Sequence, residues 1–190
     1  MIRESIFVEI LIDAMPEIRK ILPSDELLWE YTRNLLEISF PVNERRDFSR
    51  QRLLASSSEI FSQGVIIENE LPVGVICWWN FPTFLYIEHF VIDPMQRNKG
   101  LGEKVLKTMR ELTGRSLVLE VELPVNEINN RRINFYKRNG FSLFDQDYLQ
   151  PPYRRGEDFL PMKVMSTNIL YPVFDEIKQT LYREVYGFTE

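Results

Sequence analysis

The chain has 190 residues, 44% hydrophobic and 27% charged, enough for one soluble domain with a sizeable core. Its net charge of −5 counts against general nucleic-acid binding and suits a cationic or amine ligand. A single His and a single Cys exclude a His/Cys zinc site, and no apolar run approaches the roughly 20 residues needed to cross a bilayer.

An apolar patch follows Arg3 and Glu4, but Asp13 and Glu17 interrupt it and no small-residue cleavage site follows, so no export signal is expected. With Cys77 alone inside an apolar run, the expectation is a cytoplasmic, disulfide-free protein without metal, nucleic-acid or membrane partners. A Cys77–His89 nucleophile pair is set aside, because the two residues lie in separate strand-like runs.

Residues 1–22 fit both helical and strand periods, and Pro16 breaks a continuous helix; a strand near Phe7–Ile12 and then a short helix are expected. Ser24-Asp25-Glu26 starts a helix carrying Leu28, Tyr31, Leu35 and Ile38, which stops before Pro41. The next segment is strongly charged, and the plain reading of Glu44-Arg45-Arg46 is a solvated helix start. Glu59–Glu68 and Val73–Phe81 are β-branched and aromatic, joined by Asn69-Glu70-Leu71-Pro72, which predicts an antiparallel pair; Phe84–Ile92 adds a third strand.

Leu101, Val105, Leu106, Met109 and Leu112 then fall in helical period. In residues 117–123, Leu117, Leu119, Val121 and Leu123 alternate with Val118, Glu120 and Glu122. A helix from Glu127 to Arg138 ends at Asn139-Gly140. Phe141–Phe144 and Asp158–Met165 read as strands, Tyr148–Tyr153 as an irregular loop. In the tail, Phe174, Ile177, Leu181 and Val185 form an amphipathic stripe that packs on the domain or, alternatively, on a partner or second copy. This order predicts an α/β (α+β) fold with a mixed, mostly antiparallel sheet flanked by helices and a C-terminal amphipathic helix.

The strand ending at Ile92-Asp93, the loop with Arg97, Lys99, Gly100 and Gly102, and the helix behind it form an anion-binding device. The dinucleotide fingerprint fails for want of a third glycine, and no Walker loop is present. What remains is R-x-x-G-x-G, for which a helix-entry turn is the plain alternative. FVIDPMQRNKGLGEKVL resembles the acetyl-CoA motif of the GCN5-related N-acetyltransferase (GNAT) family, and LEVELPVNEINNRRINFYKRNGF resembles that family's later strand–Asn–helix–Phe-Tyr-x-x-x-Gly-Phe motif. Asn98 stands where many relatives carry Gly, and Leu123-Pro124-Val125 lengthens the segment before Asn129.

The resemblance implies a single acetyltransferase domain: residues 1–56 an acceptor-side helical region, 57–166 the core sheet and CoA motifs, and 167–190 the C-terminal helix. It implies acetyl-CoA as co-substrate, lying against Phe90, Val91 and Ile92. The pyrophosphate would meet the backbone from Arg97 through Asn98, Lys99, Gly100, Leu101 and Gly102 to Glu103, with Asn129 and Tyr136 across from it. Asn129, Ile133 and Tyr136 share a helix face.

Direct transfer of acetyl to an amine needs a base, an oxyanion donor and an acid for the leaving thiolate. Tyr136 is the candidate acid, with a core aromatic as its plain alternative, and a backbone N–H near Ile92 is the candidate oxyanion donor. For the base, Glu88 ranks first, with a strand-edge salt bridge as its plain alternative and a base acting through water also open: strand alternation puts it on one side with Phe90 and Ile92, where burial should raise its pKa, while His89 faces away. Glu122 ranks second, beside Glu120 on one strand face. Arg45, Arg46, Glu120, Tyr148, Gln150 and Tyr153 are the candidate acceptor-binding residues, and they leave open a cationic amine or a carboxylate-bearing acceptor. The expected function is acetyl-CoA-dependent N-acetylation of a small-molecule or peptide amine; a non-catalytic CoA-binding module and a longer-chain acyltransferase are the alternatives.

Overall fold

A computed structural model describes residues 15–188. The strand expected at Phe7–Ile12 lies outside the described residues. Behind Pro16, where a short helix is expected, Glu17–Lys20 instead forms β1, an edge strand antiparallel to β2 (Phe61–Glu68). Ile18 packs inward while Glu17, Arg19 and Lys20 face water, a charged edge that resists pairing with other chains.

Between them, α1 (Glu26–Ser39) and α2 (Phe48–Ser57) lie on one side of the sheet. The core stripe of α1 is Trp29, Thr32, Leu35 and Leu36, turned from the expected Leu28–Tyr31–Leu35–Ile38; Ile38 is exposed. Trp29 decides the rotation, because burying its ring also lets Nε1 donate to the Leu22 carbonyl at 3.0 Å. The helix ends at Phe40, whose extended backbone is what a following proline demands.

β2 turns into β3 (Leu71–Asn80) through Asn69 and Glu70, both with positive φ, the two-residue geometry that matches strand twist. β3 pairs antiparallel with β4 (Phe84–Ile92). A crossover through α3 (Leu101–Thr113) brings β5 (Ser116–Glu122) parallel to β4. Leu112, expected on the buried face of α3, is exposed. After α4 (Glu127–Arg138), the short β6 (Ser142–Leu143) and β7 (Tyr148–Gln150) pair with β8 (Leu160–Ser166), which itself pairs with β5. The segment read as an irregular loop is therefore partly a strand.

The sheet separates two cores. One joins Phe61, Trp79, Phe84, Tyr86 and Val164 to α1 and the C-terminal segment; the other joins Ile66, Ile76, Leu85, Leu117 and Leu119 to α3 and α4. The C-terminal segment is α5 (Phe174–Thr180) continued by a wide turn, Leu181–Val185, whose end is marked by Tyr186 N donating to Leu181 O.

Two irregularities in β4 prepare the site. Cys77 pairs with His89 and Trp78 with Ile87, so Glu88 is an extra residue on the β4 side, a β-bulge. Pairing with β5 covers only Phe84–Ile87 opposite Ser116–Leu119, so the two strands part at the bulge.

Ile177 is fully buried among residues of the first core. Replacing it by alanine is expected to lower unfolding free energy by about 2–5 kcal/mol in urea titrations, the ordinary cost of such a cavity. An unchanged midpoint would mean that the tail does not pack on the sheet.

Candidate active site

Where β4 and β5 part, a cleft of about 590 Å³ opens, and α3 and α4 supply its other walls. At one end lies the glycine loop. Asp93 caps a short turn, Pro94–Gln96, by accepting from Met95 N at 2.8 Å. Asn98 and Gly100 then take left-handed backbone, φ 64° and 74°. Asparagine is among the few side chains that enter this region easily, so position 98 keeps the backbone shape that glycine would give.

The helical ladder of α3 starts with Lys104 N on Gly100 O. The N–H groups of Leu101, Gly102 and Glu103 therefore have no partner within the helix and, with the helix dipole, favour an anion. Gly102, inside α3, matters for packing. A Cβ there would stand 3.0 Å from the Phe135 ring, so glycine lets α3 and α4 close on the cleft.

Phe90, Val91, Ile92, Arg97, Asn98, Gly100, Leu101, Gly102 and Glu103 all line the cleft. Arg97 folds back to donate from Nε to Ile92 O at 3.1 Å. Since Asp93 N bonds to Val73 O on β3, ladder alternation turns the N–H groups of Phe90 and Ile92 towards the cleft. Lys99 does not line it; its Nζ donates to Gln96. Neither does Asn129, whose amide donates to the Leu123 carbonyl at 2.9 Å and ties the end of β5 to α4.

Tyr136 lines the cleft from α4, and burial lifts its phenol to about 12. Arg132, one turn earlier on the same face, is ion-paired with Glu122. Glu122 is thus an anchor for arginine rather than an unpaired carboxylate. The charge that helps raise Glu120 is Glu88, not its strand neighbour Glu122.

The bulge overturns the strand alternation expected for Glu88. Phe90 and Ile92 pack towards the α3 and α4 core, whereas Glu88 reaches the opposite side, where Trp79 Nε1 donates to it at 3.0 Å and Tyr153 at 2.8 Å. His89 shares that side, its ring 4.6 Å from Phe40 and 6.3 Å from Tyr153, so it does not face away. Arg46 completes the cluster. Its side chain is largely covered, ion-paired to Glu88, 4.8 Å from the Tyr153 ring centre, and donates to Val185 O at 2.9 Å. The charged run that reads as a solvated helix start thus sends its last arginine into the core.

Burial pushes the Glu88 carboxyl up, but the Arg46 charge and the two neutral donors outweigh it, leaving the group below its ordinary value. That contradicts the raised pKa expected of this residue. For Arg46 the same pairing outweighs burial, and the guanidinium stays charged. Arg45 turns to the Phe40 carbonyl, and neither arginine lines the cleft.

Glu120 is the carboxylate with the opposite balance. Burial raises it above its ordinary value, against the lowering effect of nearby tyrosine hydroxyls. Its Oε2 accepts from Tyr86 at 2.5 Å and Tyr186 at 2.6 Å, and Gln150 donates to Tyr186 at 2.9 Å. Glu120, Gln150, Tyr153 and Glu88 line the cleft; Tyr148 is buried behind them. Sequence reasoning missed Tyr86 and Tyr186, which meet across 100 residues without a local signal. It also passed over Glu44, which lines the cleft, and Arg132, whose helical spacing from Tyr136 was a usable sign.

Three comparisons bear on this architecture. The family model described as acetyltransferase (GNAT) family matches residues 25–141. A protein from Bacteroides thetaiotaomicron assigned to the GNAT family of acetyltransferases superposes with a TM-score of 0.85 at 39% identity, over 91% of this chain and 99% of that one. An aminoglycoside 6'-N-acetyltransferase complexed with coenzyme A shares the fold at a TM-score of 0.60 and 14% identity, covering 79% of this chain and 95% of its own. Arabidopsis thaliana Naa50 in complex with the bisubstrate analogue CoA-Ac-MVNAL shares it at 0.57 and 20%, covering 80% and 98%. A search of curated proteins finds no significant match. The parted strands, the left-handed glycine loop and the family match over residues 25–141 agree, and the chain belongs to the GNAT family of acetyltransferases.

Proposed function

We propose that the protein transfers acetyl directly from acetyl-CoA to a primary amine of a small molecule or peptide. The observation that carries this is the cleft itself. Its glycine loop presents unpaired N–H groups at one end, a phenol lines its wall, and a carboxylate of raised pKa stands at the acceptor end. The residues present fit acetyl-CoA: Leu101, Gly102 and Glu103 N–H for the pyrophosphate, and the open edge of β4 for the chain leading to the thioester. Solved relatives of this fold hold coenzyme A or a CoA–peptide bisubstrate analogue, which supports the same reading.

In this mechanism the base is Glu120, in place of the Glu88 and Glu122 favoured by sequence. Both of those are committed to arginines, and Arg46 depresses Glu88, which weakens it as a proton acceptor. Glu120, raised by burial, suits removal of a proton from an ammonium group. The amine nitrogen then attacks the thioester carbonyl, whose oxygen takes charge beside the Phe90 and Ile92 N–H groups. As the C–S bond breaks, Tyr136 O–H gives its proton to sulfur; with its phenol at about 12, it stays protonated at neutral pH.

Tyr136→Phe is expected to lower kcat by about 10²–10⁴-fold. Coenzyme A affinity, read by calorimetry, should stay within a factor of about three because the phosphate donors are untouched. Equal losses of binding and turnover would make Tyr136 a packing residue. Glu120→Gln should lower kcat comparably and remove the acidic limb of the pH–rate profile, since only ionised Glu120 accepts a proton.

The same substitution carries a stability sign. Folded Glu120 holds its proton more tightly than the unfolded chain does, so ionising it costs stability. The cost is absent below about pH 4.3, the unperturbed glutamate value, and grows as pH rises towards the folded pKa. In melts from pH 4 to 8, Glu120→Gln should therefore gain stability relative to wild type with rising pH. A constant difference between the two proteins would refute the raised pKa.

A further inference from the structure

We infer that the acceptor is a di- or polyamine without a carboxylate, whose non-reacting ammonium group pairs with Glu44. The inference rests on the acetyltransfer reading above and narrows its acceptor. Arg45 and Arg46, the sequence's two candidates for holding an acceptor carboxylate, do not line the cleft. Arg46 is spent on Glu88 and the Val185 carbonyl, Arg45 on the Phe40 carbonyl, with Glu37 at 4.0 Å. Of the arginines on the opposite wall, Arg132 is paired with Glu122 and Arg131 with Glu127.

Glu44 is different. It ends the short turn Val42–Glu44, lines the cleft and is half-buried. Among the described residues its carboxylate makes no hydrogen bond or ion pair. Burial pushes the group up, and Arg132 opposes this only through space. Closing a ligand over such a carboxylate removes more of its water, and a cation is what repays that loss.

A second, independent observation has the same sign. Beneath this wall the buried polar atoms left without a protein partner include Glu120 Oε1, Gln150 Oε1 and His89 Nδ1. The first two are acceptors. For His89, Nε2 faces the Glu44 carbonyl at 2.9 Å and must carry the hydrogen, while burial keeps the ring neutral, so Nδ1 presents a lone pair. Two hydroxyls there can also donate: Tyr148 O–H, near Glu120 but outside hydrogen-bonding geometry, and Ser39 Oγ beside Phe40; a hydroxyl also accepts, so neither opposes a cation. Acceptors and carboxylates in a low-dielectric cleft set a negative potential that draws a polycation and repels a carboxylate. Phe40 and Tyr153 line the same cleft and give an alkyl chain apolar contact.

The test uses three acceptors of one length, 1,5-diaminopentane, pentylamine and 5-aminopentanoate, with free-CoA release as the readout. The diamine should have the highest kcat/KM and the amino acid the lowest, separated by at least about tenfold at each step. Glu44→Gln should cut the diamine-to-pentylamine ratio about tenfold, through KM, and Glu44→Asp should restore part of it. The inference is overturned if 5-aminopentanoate matches the diamine, or if the ratio is unchanged in Glu44→Gln while the wild type is active. No CoA release with any amine would remove the acetyltransfer reading and the inference with it.

Discussion

The extra residue in β4 at Glu88 is the constraint on which the site depends. It shifts the register against β3, so that Glu88 and His89 reach the same side while Phe90 and Ile92 keep to the other. Pairing with β5 stops one residue earlier, at Ile87. A bulge bends its strand and adds twist, so a strand continuous at Phe84–Ile87 leaves its neighbour beyond that point. The open edge that results presents backbone donors to a ligand.

A bulge left alone would bury a carboxylate at some cost. Here Arg46 meets Glu88 inside a frame of Trp79, Tyr153 and Phe61, and its second nitrogen holds the Val185 carbonyl. One guanidinium thereby fastens three remote parts: the loop after α1, the centre of the sheet and the C-terminal turn. That turn delivers Tyr186 to Glu120. The two buried glutamates consequently differ. Glu88 is neutralised by a cation; Glu120, held by neutral hydroxyls, keeps a raised pKa, as the proposed base requires.

Much of this was legible in the chain. Strand–loop–helix order, the turn at Asn69-Glu70 and the stripe Phe174–Ile177–Leu181–Val185 all follow from local pattern. The failures have one physical origin: they depend on long-range packing. Alternation assigns Glu88 to the wrong side because a bulge leaves no mark in composition. Arg46 resembles its solvated neighbours until Glu88, 42 positions later, is placed beside it. Tyr186 sits 66 positions from the carboxylate it serves. Gly102 belongs to the R-x-x-G-x-G pattern, but the room it leaves is taken by the Phe135 ring across the cleft.

The central claim is that the parted strands hold acetyl-CoA with its thioester between Tyr136 and the acceptor end of the cleft. A crystal structure of the protein with coenzyme A tests it most directly. The account predicts pyrophosphate oxygens on the N–H groups of Leu101, Gly102 and Glu103, and the sulfur within about 3.5 Å of the Tyr136 hydroxyl. Coenzyme A bound elsewhere, or bound here with its sulfur remote from Tyr136, would contradict it.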